Sequence, residues 1–148
     1  MTMVKIYKLS VTDILKLYFF NTLVCYNSKS SGIKEHKING YNNTKIYERY
    51  YPINLENIIL VYGIPDRIDP PYLVEFKTCS TKTLDAIVDY STIQLQLYMF
   101  LTGLTKGRLD IYLKDKKVLI KGYLYTDYDE NLVKDVILKA YKNLNQNS

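Results

Sequence analysis

The chain has 148 residues and a mass of 17.4 kDa, which predicts one domain covering residues 1–148. Its hydrophobic content of 47% and charged content of 24% are typical of a globular protein and exclude a collagen, a disordered tail and a disulfide scaffold. The two cysteines, Cys25 and Cys79, are too few for a zinc ribbon or a four-thiolate cluster. They are also consistent with a reducing compartment, so we expect a cytoplasmic protein.

The formal net charge of +5 and the isoelectric point near 9.0 favour a polyanionic partner. The longest apolar stretch, residues 14–26, is interrupted by Lys16 and Asn21 and is too short to span a bilayer. It also lacks the basic start and the small-residue cleavage site of a signal peptide. We therefore expect no membrane partner.

A first helix is predicted directly after Ser10. The pattern Ser10-Val-Thr-Asp13 can satisfy the free amides at a helix N-terminus, and apolar residues then recur at helical spacing over residues 14–24. The polar segment 27–43 predicts a loop with a short helical turn near residues 33–37. This loop contains the only histidine of the sequence, His36.

The rest of the chain alternates between strand-like and helix-like patterns. Strands are predicted at residues 45–51, 58–62, 72–78, 109–113 and 118–125, and helices at residues 85–104 and from about Asp127 onward. A tight reversal at the Pro-Pro dipeptide precedes the third of these strands. The order predicts an α/β (α+β) fold with a central mixed β-sheet of about five strands flanked by helices.

The third predicted strand carries two opposite charges on one face. Glu75 and Lys77 are two residues apart and share a face, whereas Val74 and Phe76 occupy the other. If the reversal is centred on the Pro-Pro bond, antiparallel pairing places Asp66 directly opposite Glu75. The sequence therefore predicts two facing carboxylates.

Facing carboxylates repel each other unless a proton or a cation lies between them. A divalent cation is favoured here, because Lys77 is expected to keep both acids ionised. Oxygen ligands select Mg²⁺ or Mn²⁺, and an added imidazole favours Mn²⁺. Such an ion beside an ammonium group can polarise a phosphoryl oxygen and activate water, so the pattern indicates phosphodiester hydrolysis.

The acid-x-Lys pattern alone is not specific. It occurs three times, as Glu35-His-Lys37, Glu75-Phe-Lys77 and Asp115-Lys-Lys117. Only the second copy lies in an apolar strand that follows an aspartate-bearing strand. The alternative interpretation of that copy is an ion pair on an edge strand.

These residues resemble the signature of the PD-(D/E)xK nucleases, which reads here as Pro65-Asp66 followed by Glu75-Phe-Lys77. The chain is similar in particular to the RecB-like branch, which includes the CRISPR-associated exonucleases. The further motifs of that branch are present in order as Gly32-Ile-Lys-Glu-His36, Gly63-Ile-Pro-Asp66 and Gln94-Leu-Gln-Leu-Tyr98. The resemblance covers nearly the whole chain and implies a restriction-endonuclease-like core.

The resemblance implies a Mg²⁺- or Mn²⁺-dependent deoxyribonuclease, exonuclease-like, that acts on DNA and leaves 5′-phosphate ends. By this resemblance His36, Asp66, Glu75 and the backbone carbonyl of Phe76 would ligate the metal. Lys77 would position the attacking water.

The resemblance also assigns a site role to the pair Gln94 and Tyr98. These residues lie one turn apart on one helix face and would reach a DNA phosphate or the region of Lys77. The alternative for this pair is core packing with a satisfied amide.

Several positions stay open at this point. Some relatives hold an iron–sulfur cluster on one early and three late cysteines, but here no cysteine follows Cys79, so no such cluster is expected. Asp69 competes with Asp66, which is preferred for its glycine spacing and register. Arg67 and Arg108 are unranked candidates for phosphate contacts. The rival function is a catalytically inactive nuclease-fold module for DNA binding or another interaction; strandedness and oligomeric state are open.

Overall fold

The computed structural model describes residues 3–23, residue 36 and residues 39–146. Cys25 and most of the polar loop predicted at residues 27–43 lie outside this part of the chain. Of the short helical turn predicted near residues 33–37, His36 alone is described.

The described residues form seven strands and three α-helices. The strands are β1 (Lys5–Ser10), β2 (Tyr47–Pro52), β3 (Asn57–Gly63), β4 (Arg67–Asp69), β5 (Tyr72–Cys79), β6 (Lys106–Leu113) and β7 (Val118–Asp127). The helices are α1 (Val11–Phe20), α2 (Leu84–Thr102) and α3 (Glu130–Gln146), and one turn of 3₁₀-helix, Thr81–Thr83, precedes α2.

The strands belong to two mixed sheets. In the first, β3 is central, with β1 parallel on one side and β2 antiparallel on the other. The second has the order β4-β5-β6-β7, in which β5 and β6 are parallel and the two outer pairs are antiparallel. Helix α2 contacts strands of both sheets, and the main hydrophobic core lies between the sheets and the three helices.

Helix α1 begins where the capping residues predict. The Ser10 hydroxyl accepts a 2.9 Å hydrogen bond from the Asp13 amide, and the Asp13 carboxylate accepts one of 3.0 Å from the Ser10 amide. The helix ends at Asn21, whose left-handed backbone (φ 52°) closes the last turn. The buried Asn143 amide of α3 donates to the Leu17 carbonyl and fixes this end of α1 against α3.

The predicted fold class is confirmed, although the strands differ in number and arrangement from the single sheet of about five. Strand β1 was not among the predicted strands, because its residues do not alternate regularly between apolar and polar. The residues of the three-residue strand β4 were predicted as part of the reversal rather than as a strand. The last helix begins at Glu130 rather than near Asp127, since β7 runs on to Asp127. Within the described ranges, no helix has the length and apolar character needed to cross a membrane.

Candidate active site

Strand β5 presents two different faces, as its parity predicts. Leu73 and Cys79 enter the main core, and Glu75 and Lys77 share their side of the strand. Val74 and Phe76 point the other way, into a second cluster with Tyr41. Because β5 lies between β4 and β6, and because only 1% of Glu75 is exposed, an ion pair on an edge strand does not describe this site.

Asp66 lies immediately before β4 and faces β5. The observed pairs Arg67 with Val74 and Ile68 with Leu73 continue by one step to Asp66 and Glu75, so the predicted register is correct. The Phe76 backbone amide donates a 2.8 Å hydrogen bond to Asp66 Oδ2. The local fold thus turns the Asp66 carboxylate toward β5.

The two predicted carboxylates meet and share a hydrogen bond. Burial, reinforced by the neighbouring Asp66 carboxylate, holds the pKa of Glu75 well above its ordinary value, and the positive charge of Lys77 offsets only part of this. Burial also acts to raise the pKa of Asp66, but hydrogen bonds from His36 and Glu75 outweigh it and the net shift is downward. Of the two acids, Glu75 is therefore the one whose protonated form the surroundings favour, and Lys77 offsets this only in part, in contrast to the expectation that it keeps both acids ionised.

His36 reaches the same pair from the polar loop. Its Nε2 lies 3.3 Å from Asp66 Oδ2, and its ring stands edge-on to the Phe76 ring with centroids 4.8 Å apart. Tyr41 stacks on that Phe76 ring at 4.2 Å. The only histidine of the sequence is thus held beside the acidic pair.

The donor set of this cluster fits a hard divalent cation. One buried oxygen of Glu75, Oε1, has no hydrogen-bond partner, and such an oxygen is costly to bury unless something binds it. Two carboxylates with one imidazole are ligands suited to Mg²⁺ or Mn²⁺. In the described part of the chain, no three His, Cys, Asp or Glu side chains form a preassembled metal site. The contacts are instead pairwise, His36 with Asp66 and Asp66 with Glu75.

The rival acid, Asp69, has different partners. Its carboxylate accepts hydrogen bonds from Arg67 Nε at 2.7 Å and from Arg108 Nη2 at 3.1 Å. Arg108 also binds the fully buried Asp110 through Nε and Nη2, both at 2.9 Å. Asp69 thus belongs to a network of charged side chains, and the geometry favours Asp66 as the member of the acidic pair.

The same network distinguishes the two arginines. The Arg108 side chain is 14% exposed and is held by Asp69 and Asp110, whereas that of Arg67 is 39% exposed. Arg67 uses only Nε for its ion pair with Asp69. Among the described residues, its two terminal nitrogens donate no hydrogen bond. These nitrogens remain available to an incoming anion.

A cleft opens between Arg67 and Asp66. Its volume is about 410 Å³, and it is lined by Gly40, Asn42, Asn43, Tyr47, Asp66, Arg67 and Ile68. Asn43 forms one wall by donating from its side chain to the Pro65 carbonyl at 3.1 Å. The cleft is therefore lined by both the Asp66 carboxylate and the Arg67 guanidinium.

Gln94 and Tyr98 lie behind the acidic pair on α2. Both are buried, and the amide oxygen of Gln94 has no partner, so the pair is not simply a satisfied core amide packed against an aromatic ring. Burial, and then the charges of Glu75 and Asp66, raise the pKa of Tyr98. A Cβ at Gly63 would come within 2.9 Å of the Tyr98 ring, so the absence of a side chain at this position makes room for Tyr98.

Sequence reasoning did not identify the roles of Tyr41 and Asp110. The Tyr41 hydroxyl donates a 2.6 Å hydrogen bond to Asp110 Oδ2, and the Gly122 amide donates to Oδ1 at 2.7 Å. Asp110 lies at an irregularity of the pairing between β6 and β7, and its side chain is fully buried. An aspartate between two apolar strand residues, Leu109 and Ile111, was the available signal.

No protein-family model matches the sequence, and no curated protein matches it. Solved structures do match. SSO0001 superposes with a TM-score of 0.65 at 16% identity, covering 94% of this chain and 75% of that one. The alkaline exonuclease LHK-Exo of Laribacter hongkongensis, in its complex with dAMP, gives 0.57 at 14% identity over 94% of this chain and 87% of that one. A phage-related exonuclease of Haemophilus somnus 129PT gives 0.52 at 14% identity, covering 92% and 79%.

The chain has the fold of these exonucleases. The likeness extends over nearly the whole chain and places it among proteins of nuclease-like fold. At these identities it establishes architecture only.

Proposed function

We propose that the chain is a Mg²⁺- or Mn²⁺-dependent deoxyribonuclease with its active site at Asp66 and Glu75. The observation that carries the proposal is the buried acidic pair, with His36 on one side, Lys77 on the same strand face and an unpartnered Glu75 oxygen. A buried, hydrogen-bonded pair of acids destabilises a fold unless it binds something. The exonuclease-like fold supports a phosphodiester as the substrate.

In this proposal His36, Asp66, Glu75 and the Phe76 carbonyl hold the cation. A bound Mg²⁺ or Mn²⁺ supplies Lewis-acid polarisation of the phosphate and lowers the pKa of its bound water. Loss of the proton shared by Asp66 and Glu75 prepares the pair for the cation. Lys77 extends from β5 on the same side as Glu75 and orients the attacking water with its ammonium group.

The cleft beside Asp66 gives the DNA backbone a place to bind. Arg67 would bind a phosphate next to the scissile one through its two terminal nitrogens, which form no hydrogen bond within the described ranges. Arg108 is instead held by Asp69 and Asp110. Tyr98 and Gln94 are too buried to form an open phosphate-binding surface. Their role in the proposal is to support Glu75 and Lys77 from α2.

Cleavage of a labelled oligodeoxynucleotide in Mg²⁺ or Mn²⁺ tests the proposal. Lys77→Ala and Glu75→Ala should abolish cleavage while thermal unfolding shows that the variants are folded. Lys134→Ala removes the same charge as Lys77→Ala from an exposed position on α3 and should cleave like the wild type. Cleavage retained in both site variants contradicts the proposal. DNA binding by the wild type without cleavage would instead indicate the inactive DNA-binding module.

A further inference from the structure

Two adjacent phenylalanines stand exposed at the end of α1. Consecutive helical residues point about 100° apart, so Phe19 and Phe20 cannot both enter the core. Phe20 is 59% exposed. Among the described residues its ring contact is with Phe19, at 6.2 Å between centroids. Nothing in the proposed metal chemistry requires these rings.

The rings continue toward the candidate active site. Phe19 lies 4.9 Å from the Tyr18 ring and 5.3 Å from the Tyr90 ring, measured between centroids. The Lys77 ammonium lies over the Tyr90 ring, 5.5 Å from its centroid. Tyr18, Phe19, Phe20 and Tyr90 thus form one aromatic platform whose inner end is at Lys77.

Positive charge accompanies this aromatic platform. Lys139 of α3 places its ammonium 4.7 Å from the Tyr18 ring centroid, so lysines lie against both Tyr18 and Tyr90. The chain as a whole carries +5. Aromatic faces interleaved with ammonium groups are the arrangement by which proteins bind single-stranded nucleic acid, because bases stack on the rings while cations follow the backbone.

We propose that the aromatic platform binds unpaired nucleobases, so that the preferred substrate is single-stranded DNA or the frayed end of a duplex. This rests on the proposed function for the identity of the ligand as DNA. A base inside a duplex has both faces covered by its neighbours, whereas an unpaired base can present a face to Phe20. A strand stacked on the platform passes Tyr90 and reaches Lys77.

The test compares Phe20→Ala, Phe20→Tyr and Tyr50→Ala. Tyr50 is 57% exposed on β2 and makes no aromatic contact among the described residues, so it controls for loss of an exposed ring. Binding of a fluorescent single-stranded oligodeoxynucleotide, and of the matching duplex, is measured by anisotropy in EDTA. The single strand also carries 2-aminopurine, whose fluorescence falls when it stacks.

Phe20→Ala should weaken binding of the single strand about tenfold and abolish the 2-aminopurine quenching, whereas duplex binding should change less than twofold. Phe20→Tyr, which retains a ring, and Tyr50→Ala should both behave as the wild type. Unchanged single-strand affinity in Phe20→Ala, or an equal loss for the duplex, overturns the proposal. So does a finding that Phe20→Ala dissociates an oligomer without altering DNA affinity, since the platform would then be a contact between copies.

Failure of the two proposals can be told apart. The binding assay contains no metal and does not depend on turnover. If bases stack in that assay but no DNA is cleaved in Mg²⁺ or Mn²⁺, only the nuclease proposal is contradicted. If the wild type cleaves DNA but Phe20→Ala binds the single strand as the wild type does, only the proposal for the aromatic platform is contradicted.

Discussion

The backbone amide of Phe76 donates a 2.8 Å hydrogen bond to Asp66 Oδ2 across the reversal that joins β4 to β5. This hydrogen bond links the pairing of β4 with β5 to the position of a candidate active-site carboxylate. It fixes the carboxylate that contacts both His36 and Glu75, and it exists because the register aligns Asp66 with Glu75. Asp69, three residues further along, turns instead to two arginines.

The two aspartates should therefore respond differently to the same substitution. We expect Asp66→Asn to abolish cleavage, because it removes a carboxylate that Phe76, His36 and Glu75 all contact. Asp69→Asn should retain turnover at saturating DNA and raise KM, because it loosens Arg67. Steady-state cleavage of a labelled oligonucleotide measures both effects. If Asp69→Asn abolished turnover while Asp66→Asn remained active, Asp69 rather than Asp66 would be the catalytic aspartate.

Glu75→Gln should separate activity from stability. The Gln amide has nearly the same shape as the buried acid and can donate a hydrogen bond to Asp66. The substitution also leaves Asp66 as the single carboxyl group of the former pair. We expect cleavage to be lost while the free energy of unfolding in EDTA rises by about 1 kcal/mol, because stability and activity commonly oppose each other at a functional site. Urea unfolding measures the change. A marked loss of stability would mean that Glu75 supports the fold rather than the reaction.

His36→Ala should weaken metal binding. The imidazole Nε2 already faces Asp66 Oδ2 at 3.3 Å, where a cation held by the acidic pair would lie within its reach. We expect the Mn²⁺ concentration for half-maximal cleavage to rise about tenfold, within the range seen when groups around a metal are removed. Calorimetric titration with Mn²⁺ checks binding without turnover. An unchanged titration in His36→Ala would mean that His36 does not ligate the metal.

Much of the site could be predicted because it is local in sequence. The alternation of side chains along a strand places Glu75 and Lys77 on one face, and the Pro-Pro reversal places Asp66 opposite Glu75. Neither inference requires knowledge of contacts between distant parts of the chain. The partners of Asp110 could not be found this way. Tyr41 lies 69 residues earlier in the chain, and no periodic pattern connects the two. The raised pKa of Glu75 could not be predicted either, since it depends on complete burial that only the packed structure shows.

Gly63→Ala should disturb the site through packing alone. An added Cβ would lie 2.9 Å from the Tyr98 ring, closer than such contacts allow, and 3.1 Å from Val11, which is tighter than most such contacts. Overpacking of this kind costs about 1–3 kcal/mol, and it would push Tyr98 away from the acidic pair. We expect lower thermal stability and slower cleavage, with Gly63→Val worse in both. Wild-type behaviour of Gly63→Ala would show that the Tyr98 ring moves freely.

Tyr41→Phe should test the buried network behind β5. The substitution keeps the ring that stacks on Phe76 and removes only the hydroxyl that donates to Asp110 Oδ2 at 2.6 Å. Asp110 is fully buried, so losing one donor leaves part of its charge uncompensated. We expect the free energy of unfolding to fall by about 1–3 kcal/mol, measured in urea. Tyr50→Phe removes a hydroxyl from an exposed ring and should change nothing. Equal stability of Tyr41→Phe and the wild type would mean that Arg108 and the Gly122 amide already satisfy Asp110, and that the Tyr41 ring alone holds His36 and Phe76 in place.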